Sequence, residues 1–308
     1  MTSIAVVIPV HNGGETWSHT LSSVQEQSVK VKELIVLDIE STDSTSAVAE
    51  NHFAKVIPIF AKDWDPWHTR QWGASQTKES EIIVYLSQNC ILESNYALEE
   101  LAETLVSKNS YMVYGRQKCD RNAPTNLSNL YRDFFPAHNC TKEEIAKRLP
   151  IAMKFCIYYH AFAAYSKQKL LRLNSSLPNR IFAAEDLLIM DNLIRERKSV
   201  SYCAKAAVIR ATTPSIKQYF LHSMDRGTAY SKEKNLLSFK DGGLCTTKDI
   251  SCREKNYPQS REHFKEKIRG IIYRASCEIG YQMGKRRRPN TENWTTEKHG
   301  EPLIRGLV

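Results

Sequence analysis

Along the first third of the chain, short apolar runs alternate with longer segments in which apolar residues recur at helical spacing. Short apolar runs, typical of strands buried on both faces, occur at Ile4–Val10, Glu33–Asp38, Val56–Phe60, Ile82–Leu86 and Tyr111–Tyr114. Between them, helical spacing predicts helices over residues 16–27, 43–53, 68–79 and 94–106. Repeated strand–helix units at this spacing predict an α/β fold, with a mostly parallel sheet flanked by helices on both faces.

The second half of the chain has a less regular pattern. Residues 115–180 contain scattered prolines and predict loops on the acceptor side of a site. Further on, the pattern predicts a helix from residue 183 to about 197, a strand over Val200–Ile209, and a helix that begins at Thr213–Pro214. We expect two units, residues 1–230 as an α/β domain and residues 231–308 as a helical, basic C-terminal extension.

The predicted final helix, over residues 258–284, has apolar residues at helical spacing. They are Phe264, Ile268, Ile271, Ile272, Ala275, Ile279 and Met283, and the basic run Lys285–Arg288 follows them. Two interpretations stay open for this helix. Its apolar face packs on its own domain, or it lies on the inner leaflet of a membrane.

Charge and composition narrow the classes of protein. The 308 residues carry a net charge of +9, and residues 253–308 hold thirteen Lys and Arg against seven Glu. Such a segment suits an anionic lipid surface or nucleic acid, and the absence of a nucleic-acid-binding motif favours the membrane surface. The chain has neither a long apolar run nor a charged leader, and its eight cysteines form no CxxC pair. We therefore expect a cytoplasmic protein with free thiols, and peripheral association with the inner face of the plasma membrane stays open.

Polar residues collect where three of the predicted strands end. Asn12 follows the first strand, Asp38 ends the second, and Gln88 and Asn89 follow the fourth. Because ligands of open α/β sheets bind outside the carboxyl ends of the strands, these side chains are candidates for a binding site.

Nine short segments, in order along most of the chain, resemble one known family. They are Val6–Asn12, Asp38 with Ser41–Thr45, Thr69–Arg70, Leu86–Asn89, Val113–Gln117, Ala163–Tyr165, Ala184–Asp186, Asp225–Gly227 and Ile279–Lys285. Together they are similar to family 2 glycosyltransferases of the GT-A fold, a Rossmann-like architecture, and in particular to the bacterial rhamnosyltransferase branch. The resemblance implies a nucleotide-sugar donor and a glycan or lipid-linked glycan acceptor, and no nucleic acid.

The resemblance also implies which residues meet the donor. The residues at the family's donor-site positions are Pro9, Asn12, Asp38, Arg70, Gln88, Asn89 and Arg210. Asp38 would accept a hydrogen bond from the imide N–H of uracil or thymine, which cytosine lacks. Arg70 would face the diphosphate, although a surface ion pair is the alternative for this residue.

One motif departs from the family at the usual metal position. The chain has Ser87–Asn89 where the rhamnosyltransferase branch often has Thr-Gln-Asp, so Asn89 replaces the last carboxylate. A histidine frequent at the end of a later strand is also missing, and Arg210 stands there. Mg²⁺ or Mn²⁺ binding is therefore disfavoured, and we expect Arg70 and Arg210 to stabilise the leaving diphosphate. The alternative is a degenerate, inactive homologue.

Acceptor-side chemistry is implied for two adjacent carboxylates. Asp186 matches the family's base, which removes the proton of the attacking hydroxyl, and Glu185 would orient the acceptor or hold the loop. Alternatively, both complement a helix N-terminus. The resemblance places Arg116, Gln117 and Tyr165 near the donor sugar or the acceptor.

The leading hypothesis is an inverting transfer of L-rhamnose from dTDP-rhamnose to a surface polysaccharide such as O-antigen or capsule. Another UDP- or dTDP-sugar is the first alternative. A nucleotidyltransferase is less consistent with the sequence, since His11–Glu15 supplies neither Lys nor Arg for a phosphate-binding turn. A non-catalytic glycan-binding homologue remains the third alternative.

Overall fold

A computed structural model describes residues 3–121, 123, 125–155, 157–173, 184–212, 215–235, 237–238 and 261–286. Its strands are β1 (Ile4–Val10), β2 (Val31–Ile39), β3 (Lys55–Ile59), β4 (Ile82–Leu86), β5 (Cys90–Leu92), β6 (Met112–Cys119), β7 (Phe162–Ser166) and β8 (Val200–Arg210). Its α-helices are α1 (Trp17–Gln25), α2 (Thr45–Asn51), α3 (His68–Ser75), α4 (Ala97–Ser107), α5 (Thr125–Phe134), α6 (Lys142–Phe155), α7 (Lys167–Leu171), α8 (Glu185–Arg195), α9 (Ile216–Glu233) and α10 (Arg261–Arg286).

The strands form one sheet in the order β3-β2-β1-β4-β7-β6-β8-β5. Strands β3, β2, β1 and β4 are parallel, as are β6 and β8, whereas β7 runs antiparallel to both of its neighbours. Short β5 pairs antiparallel with β8. This arrangement confirms the predicted α/β fold, and it aligns the carboxyl ends of β1, β2 and β4 at one edge.

Each face of the sheet has its own hydrophobic core, because side chains alternate between the two faces along a strand. In β1, Val6 and Ile8 pack with α1 and α4 residues such as Leu21 and Leu98, whereas Val7 packs on the other face. That second core continues through α5, α6 and α8 and includes Tyr165. The predicted buried strands of the first third are therefore confirmed.

The prediction of irregular loops over residues 115–180 was wrong for the described part of that region. Strand β6 continues to Cys119, and α5, α6, β7 and α7 follow. Helix α6 includes Pro150, and it buries Ile145 and Leu149, four positions apart. Prolines therefore misled the prediction here, and apolar residues at helical spacing were the better signal.

The start of α9 also differs from the prediction. Ser215 caps the helix by accepting a hydrogen bond from the Gln218 N–H, and the Gln218 side chain bonds back to the Ser215 N–H. This capping box starts the helix at Ile216; residues 213 and 214, where the sequence predicted its start, lie outside the described residues. Helix α9 continues past position 230 to Glu233, and the division into two units at residue 230 stays a prediction.

Glycines allow the main chains of helices α9 and α10 to approach each other unusually closely. A Cβ atom at Gly284 would collide with the main-chain oxygen of Met224, and one at Gly227 with that of Tyr281. Only glycine permits main chains to come this close. Two segments quoted for the family resemblance, Asp225–Gly227 and Ile279–Lys285, thus pack against each other.

Within the part of the chain that the structure describes, none of the helices combines the length and apolarity that a membrane crossing requires. The described cysteines, namely Cys90, Cys119, Cys140, Cys203 and Cys277, are free thiols.

Candidate functional site

Asp38 and Asn12 lie together at the sheet edge where β1 and β2 end. One Asp38 carboxylate oxygen accepts a hydrogen bond from the Ser41 N–H at 3.1 Å, and the other accepts one from the Ser46 hydroxyl. The Asn12 side-chain oxygen accepts a hydrogen bond from the Thr42 N–H at 2.8 Å. These bonds hold the loop after β2 against the end of β1, in which Pro9 is buried.

Gln88 ties the end of β4 to the end of β1. Its amide accepts a hydrogen bond from the His11 N–H at 2.9 Å and donates one to the His11 carbonyl at 3.1 Å. Through these two hydrogen bonds, the Gln88 side chain fixes the position of the His11 main chain at the sheet edge. Direct contact between Gln88 and a donor stays a prediction.

Asn89 ties the same edge to the end of β8. Its carbonyl accepts a hydrogen bond from the Ala211 N–H at 2.9 Å, and its amide donates one to the Thr212 hydroxyl at 2.9 Å. Arg210, the last residue of β8, pairs in register with Cys90. The polar residues at the ends of β1, β4 and β8 therefore belong to one continuous edge.

Arg210 is a buried cation with spare hydrogen-bond donors. Only 3% of the residue is exposed, and its Nε and Nη1 atoms have no hydrogen-bond partner among the described residues. Burial by itself would lower the pKa of Arg210, but the neighbouring Tyr131 and Cys90 side chains raise it, so the guanidinium stays charged. Because an uncompensated buried charge is costly, this geometry favours an anion as its missing partner.

Arg70 has a different partner from the expected diphosphate. It forms a buried ion pair with Glu185, with Nη1 and Oε1 3.1 Å apart, and the same nitrogen donates to the Pro66 carbonyl at 2.6 Å. Burial alone would raise the pKa of Glu185, but Arg70 and His160 lower it to about 2. Glu185 is therefore held as a carboxylate, and its negative charge neutralises much of the positive charge of Arg70.

Asp186 lies beside Glu185 in a different electrostatic environment. Its carboxylate accepts a hydrogen bond from the Tyr159 N–H at 2.7 Å and one from Arg226 at 3.3 Å. Burial raises the pKa of Asp186, and the Glu185 charge adds to this rise, whereas Arg226 opposes it. The two adjacent carboxyl groups thus have pKa values pushed in opposite directions, which is typical of acid–base pairs with separate roles.

Both carboxylates open α8 from an unusual backbone position. Ala184 has a left-handed conformation with φ of 59°, which is uncommon for a residue with a side chain. This turn directs Glu185 and Asp186 into the protein interior, where they are 1% and 0% exposed. Both also lie in the first turn of α8, so the alternative that they complement the helix N-terminus stays open.

The segment 157–160 organises both carboxylates, and the sequence did not single it out as a site. Its Ile157 carbonyl accepts a hydrogen bond from Arg226 at 2.7 Å, its Tyr159 N–H donates to Asp186, and its His160 ring lies 3.7 Å from Glu185. His160 also stacks on Trp67 and bonds to Tyr165. Both Tyr159 and His160 lie in the core, with 1% and 2% of their surface exposed.

Arg226 is the functional candidate that the sequence left without a role. It is 1% exposed, it pairs with Asp186, and its guanidinium lies 4.4 Å from the centre of the Tyr158 ring. Its only signal in the sequence was the segment Asp225–Gly227, which carries no information about a partner forty residues away.

Arg116, Gln117 and Tyr165 occupy less open positions than a sugar contact suggests. Arg116 donates to the Phe135 carbonyl at 3.3 Å, and the Gln117 amide donates to the Tyr158 carbonyl. Tyr165 is fully buried, with its hydroxyl 2.6 Å from His160. In this arrangement Tyr165 supports the His160–Glu185 contact from the core, and sugar binding by the three residues stays a prediction.

The residues at the usual metal position do not fit Mg²⁺ or Mn²⁺. The Asn89 amide is bonded to Thr212, and a guanidinium stands two residues before Thr212 in β8. Hard cations prefer carboxylate ligands, and a neighbouring positive charge opposes their binding. Among the described residues, no group of three or more His, Cys, Asp and Glu side chains is arranged to hold a metal ion.

Comparison with known proteins identifies the family. The profile described as Glycosyl transferase family 2 matches residues 5–173, which is more than half of the chain. The chain belongs to glycosyltransferase family 2. The match includes the sheet edge with Asp38 and Gln88 and ends before the carboxylate pair of α8.

Two curated proteins are similar to this chain over most of its length. The O-antigen chain rhamnosyltransferase WbaN of Salmonella anatum is 27% identical over 236 residues, covering 75% of this chain and 73% of its own. RfbN of Salmonella typhimurium, also an O-antigen chain rhamnosyltransferase, is 27% identical over 231 residues, covering 74% and 72%. The chain is therefore similar to family 2 rhamnosyltransferases.

Alignment with solved structures confirms the GT-A fold. Staphylococcus aureus TarS in complex with UDP-GlcNAc aligns with a TM-score of 0.55 at 13% identity, covering 92% of this chain and 91% of that one. The mannosyltransferase PcManGT of Pyrobaculum calidifontis, solved with GDP-Man and Mn²⁺, aligns with a TM-score of 0.52 at 14% identity, covering 91% and 72%.

Proposed function

We propose that this family 2 glycosyltransferase is an inverting enzyme that transfers L-rhamnose from dTDP-rhamnose to a growing surface polysaccharide, such as O-antigen or capsule. Support for the sugar comes from the two O-antigen chain rhamnosyltransferases that the chain resembles. Support for the chemistry comes mainly from one observation, the adjacent buried carboxyl groups of Glu185 and Asp186 with oppositely shifted pKa values. The acceptor is a glycan or lipid-linked glycan, which the enzyme binds at the cytoplasmic side of the membrane.

Asp186 acts as the base in this proposal. The acceptor hydroxyl loses its proton to the Asp186 carboxylate while its oxygen forms a bond to the anomeric carbon of the sugar. The bond from that carbon to the diphosphate breaks at the same time, so the configuration inverts. Arg226 orients Asp186, and Arg70 keeps Glu185 ionised. Since Asp186 is 0% exposed, acceptor binding must uncover its carboxylate.

Arg210 stabilises the leaving nucleoside diphosphate. Its buried guanidinium has two N–H groups without partners among the described residues, which suits a bidentate contact with phosphate. Asp38 accepts the imide N–H of the thymine or uracil ring. With a fixed cation at this edge, transfer proceeds without a tightly bound divalent metal, and Arg70 supports it only indirectly through Glu185.

A donor panel tests this proposal. Thermal shifts of the full chain with dTDP, UDP, GDP and CDP, each with and without Mn²⁺, should show stabilisation by dTDP and UDP that Mn²⁺ changes little. Transfer from dTDP-rhamnose to a polysaccharide acceptor should then give a product whose anomeric configuration, measured by NMR, is opposite to that of the donor. Stabilisation by GDP alone, or activity that EDTA abolishes and Mn²⁺ restores, contradicts the assignment.

Two alternatives have support of their own. A transferase for another UDP- or dTDP-sugar uses the same Asp38 contact and is distinguished by the donor that gives a product. A non-catalytic glycan-binding homologue is favoured by the complete burial of Asp186. That alternative predicts nucleotide or glycan binding without turnover for any donor in the panel.

A further inference from the structure

Helix α10 has its apolar stripe on the side that faces away from the domain. The residues that α10 buries against α9 are mostly small, and they are Gly270, Cys277, Gly280, Tyr281 and Gly284. The four large aliphatic side chains of its described second half are exposed instead, Ile271 by 66%, Ile272 by 44%, Ile279 by 54% and Met283 by 52%. The expectation that these apolar positions pack on the domain is therefore wrong for this part of the helix.

The exposed side chains form one continuous stripe rather than scattered contacts. Positions 271, 275, 279 and 283 are four residues apart, so they follow one another along a single face, with Ile272 beside them. Ala275 in the middle of this row is exposed as well. A surface helix normally turns such a stripe towards the core, and contiguous exposed apolar surface marks an interaction site. We call Ile271, Ile272, Ala275, Ile279 and Met283 the α10 stripe.

Positive charge is concentrated at the C-terminal end of the α10 stripe. Arg286 is exposed three positions after Met283, on the same side of the helix, and Lys285 precedes it. In the sequence, Arg287 and Arg288 continue this run, and the whole chain carries a net charge of +9. An apolar helix face bordered by the exposed Arg286 matches the chemistry of a lipid bilayer interface with anionic headgroups.

We propose that the α10 stripe docks on an anionic phospholipid surface, with its aliphatic side chains in the interfacial layer and Arg286 among the headgroups. A second copy of this chain fits less well. The stripe is about 18 Å long, and a stable dimer interface buries about 800 Å² on each partner. Two chains of like charge also repel each other. The docking rests on the surface alone and does not depend on the donor or the acceptor.

Vesicle flotation of the full chain tests the docking. We expect binding to vesicles of phosphatidylcholine mixed with phosphatidylglycerol, weak binding to phosphatidylcholine alone, and weaker binding at high salt, which screens the charge. Replacing Ile279→Gln together with Met283→Gln should reduce the partition coefficient about tenfold or more, because two aliphatic side chains leave the interface. Arg286→Gln should reduce it about fivefold, and only on the anionic vesicles.

A matched control separates this stripe from apolar surface in general. Phe53 is 90% exposed and follows α2, so Phe53→Gln removes an equally accessible apolar side chain without changing the α10 stripe. Its vesicle binding should equal that of the unmodified chain. Circular dichroism and thermal unfolding should be unchanged in every variant, since all the replaced side chains are exposed.

Three results would overturn the proposal. Unmodified chain that does not float with the anionic vesicles shows that the stripe is not a lipid surface. Equal flotation of the Ile279→Gln/Met283→Gln variant shows that another part of the chain binds lipid. Light scattering that finds a dimer, converted to a monomer by the same double variant, assigns the stripe to a second copy. None of these readouts requires glycosyl transfer, so they are independent of the proposed function.

Discussion

The two halves of the candidate site are built in different ways. The donor edge consists of residues that directly follow strands, and its hydrogen bonds, such as those between Gln88 and His11, join neighbouring parallel strands. The base region instead joins α8, α9 and the segment 157–160 through the buried pairs of Asp186 with Arg226 and of Glu185 with Arg70. One half is organised by the sheet, and the other by charges that pair across long distances in sequence.

Because of this difference, we expect substitutions in the two halves to have different effects on binding and folding. Side chains on the donor edge lie at the ends of strands that are joined by main-chain pairing, so we expect their loss to change binding more than folding. Charges in the base region are enclosed and depend on each other, so removing one leaves an uncompensated buried charge. Folding and catalysis should therefore be linked in the base region and separable at the donor edge.

The largest expected effect is on turnover, from Asp186→Asn. The amide cannot accept the proton, so kcat should fall about a hundredfold to ten-thousandfold, as for the loss of a general base. Binding of dTDP, measured by calorimetry, should change little. Glu185→Gln, at the neighbouring residue, is the matched control, and it should impair stability more than it impairs proton transfer. Wild-type turnover in Asp186→Asn would remove the base assignment.

The next effect is on stability, from Arg226→Met. It leaves the Asp186 carboxylate without its counter-ion in the core, and we expect a loss of about 3–5 kcal/mol in the free energy of unfolding. The double variant Arg226→Met/Asp186→Asn should recover part of this loss, since the uncompensated charge is then gone. Denaturant unfolding measures both. A double variant whose loss of stability equals the sum of the losses in Arg226→Met and Asp186→Asn would show that the pair is not coupled.

A smaller effect is expected at the donor edge, from Arg210→Met. If this guanidinium meets the diphosphate, nucleotide affinity should fall by about 1.5–3 kcal/mol, which is more than tenfold. Stability should not fall by a comparable amount, because the two partnerless N–H groups disappear from the interior. Lys205→Met on the same strand is the control, since Lys205 is exposed. An unstable Arg210→Met variant with unchanged nucleotide affinity would contradict the difference between the two halves.

The smallest effect concerns pH. Glu185 has a pKa lowered to about 2 from the ordinary 4.5, so its ion pair with Arg70 contributes stability above about pH 4.5, and this contribution is lost as the pH falls towards 2. Asp186 has a raised pKa, so the acidic limb of kcat/KM should lie above pH 3.8. Arg70→Met should reduce the acid-sensitive part of the stability, measured by denaturant unfolding at several pH values.

Sequence patterns predicted the parts of the molecule in which neighbours in space follow a simple rule. The strand ends that carry Asn12, Asp38 and Gln88 were placed correctly because parallel strands share their carboxyl edge. The partner of Arg70 was not predicted, since nothing near it in sequence indicates Glu185, which belongs to a helix more than a hundred residues away. Periodicity also failed for α10, where glycines rather than large apolar residues form the packed face.

Residues 157–160 have one further consequence, which concerns the order of events in a catalytic cycle. Tyr158 lies within the electrostatic reach of Arg210 and under the Arg226 guanidinium, and Tyr159 holds Asp186 through its main chain. An anion bound at Arg210 would therefore lie near the segment that also positions the proton acceptor. Compulsory-order kinetics, with the nucleotide sugar bound first and the polysaccharide second, would be the natural outcome of such a shared segment.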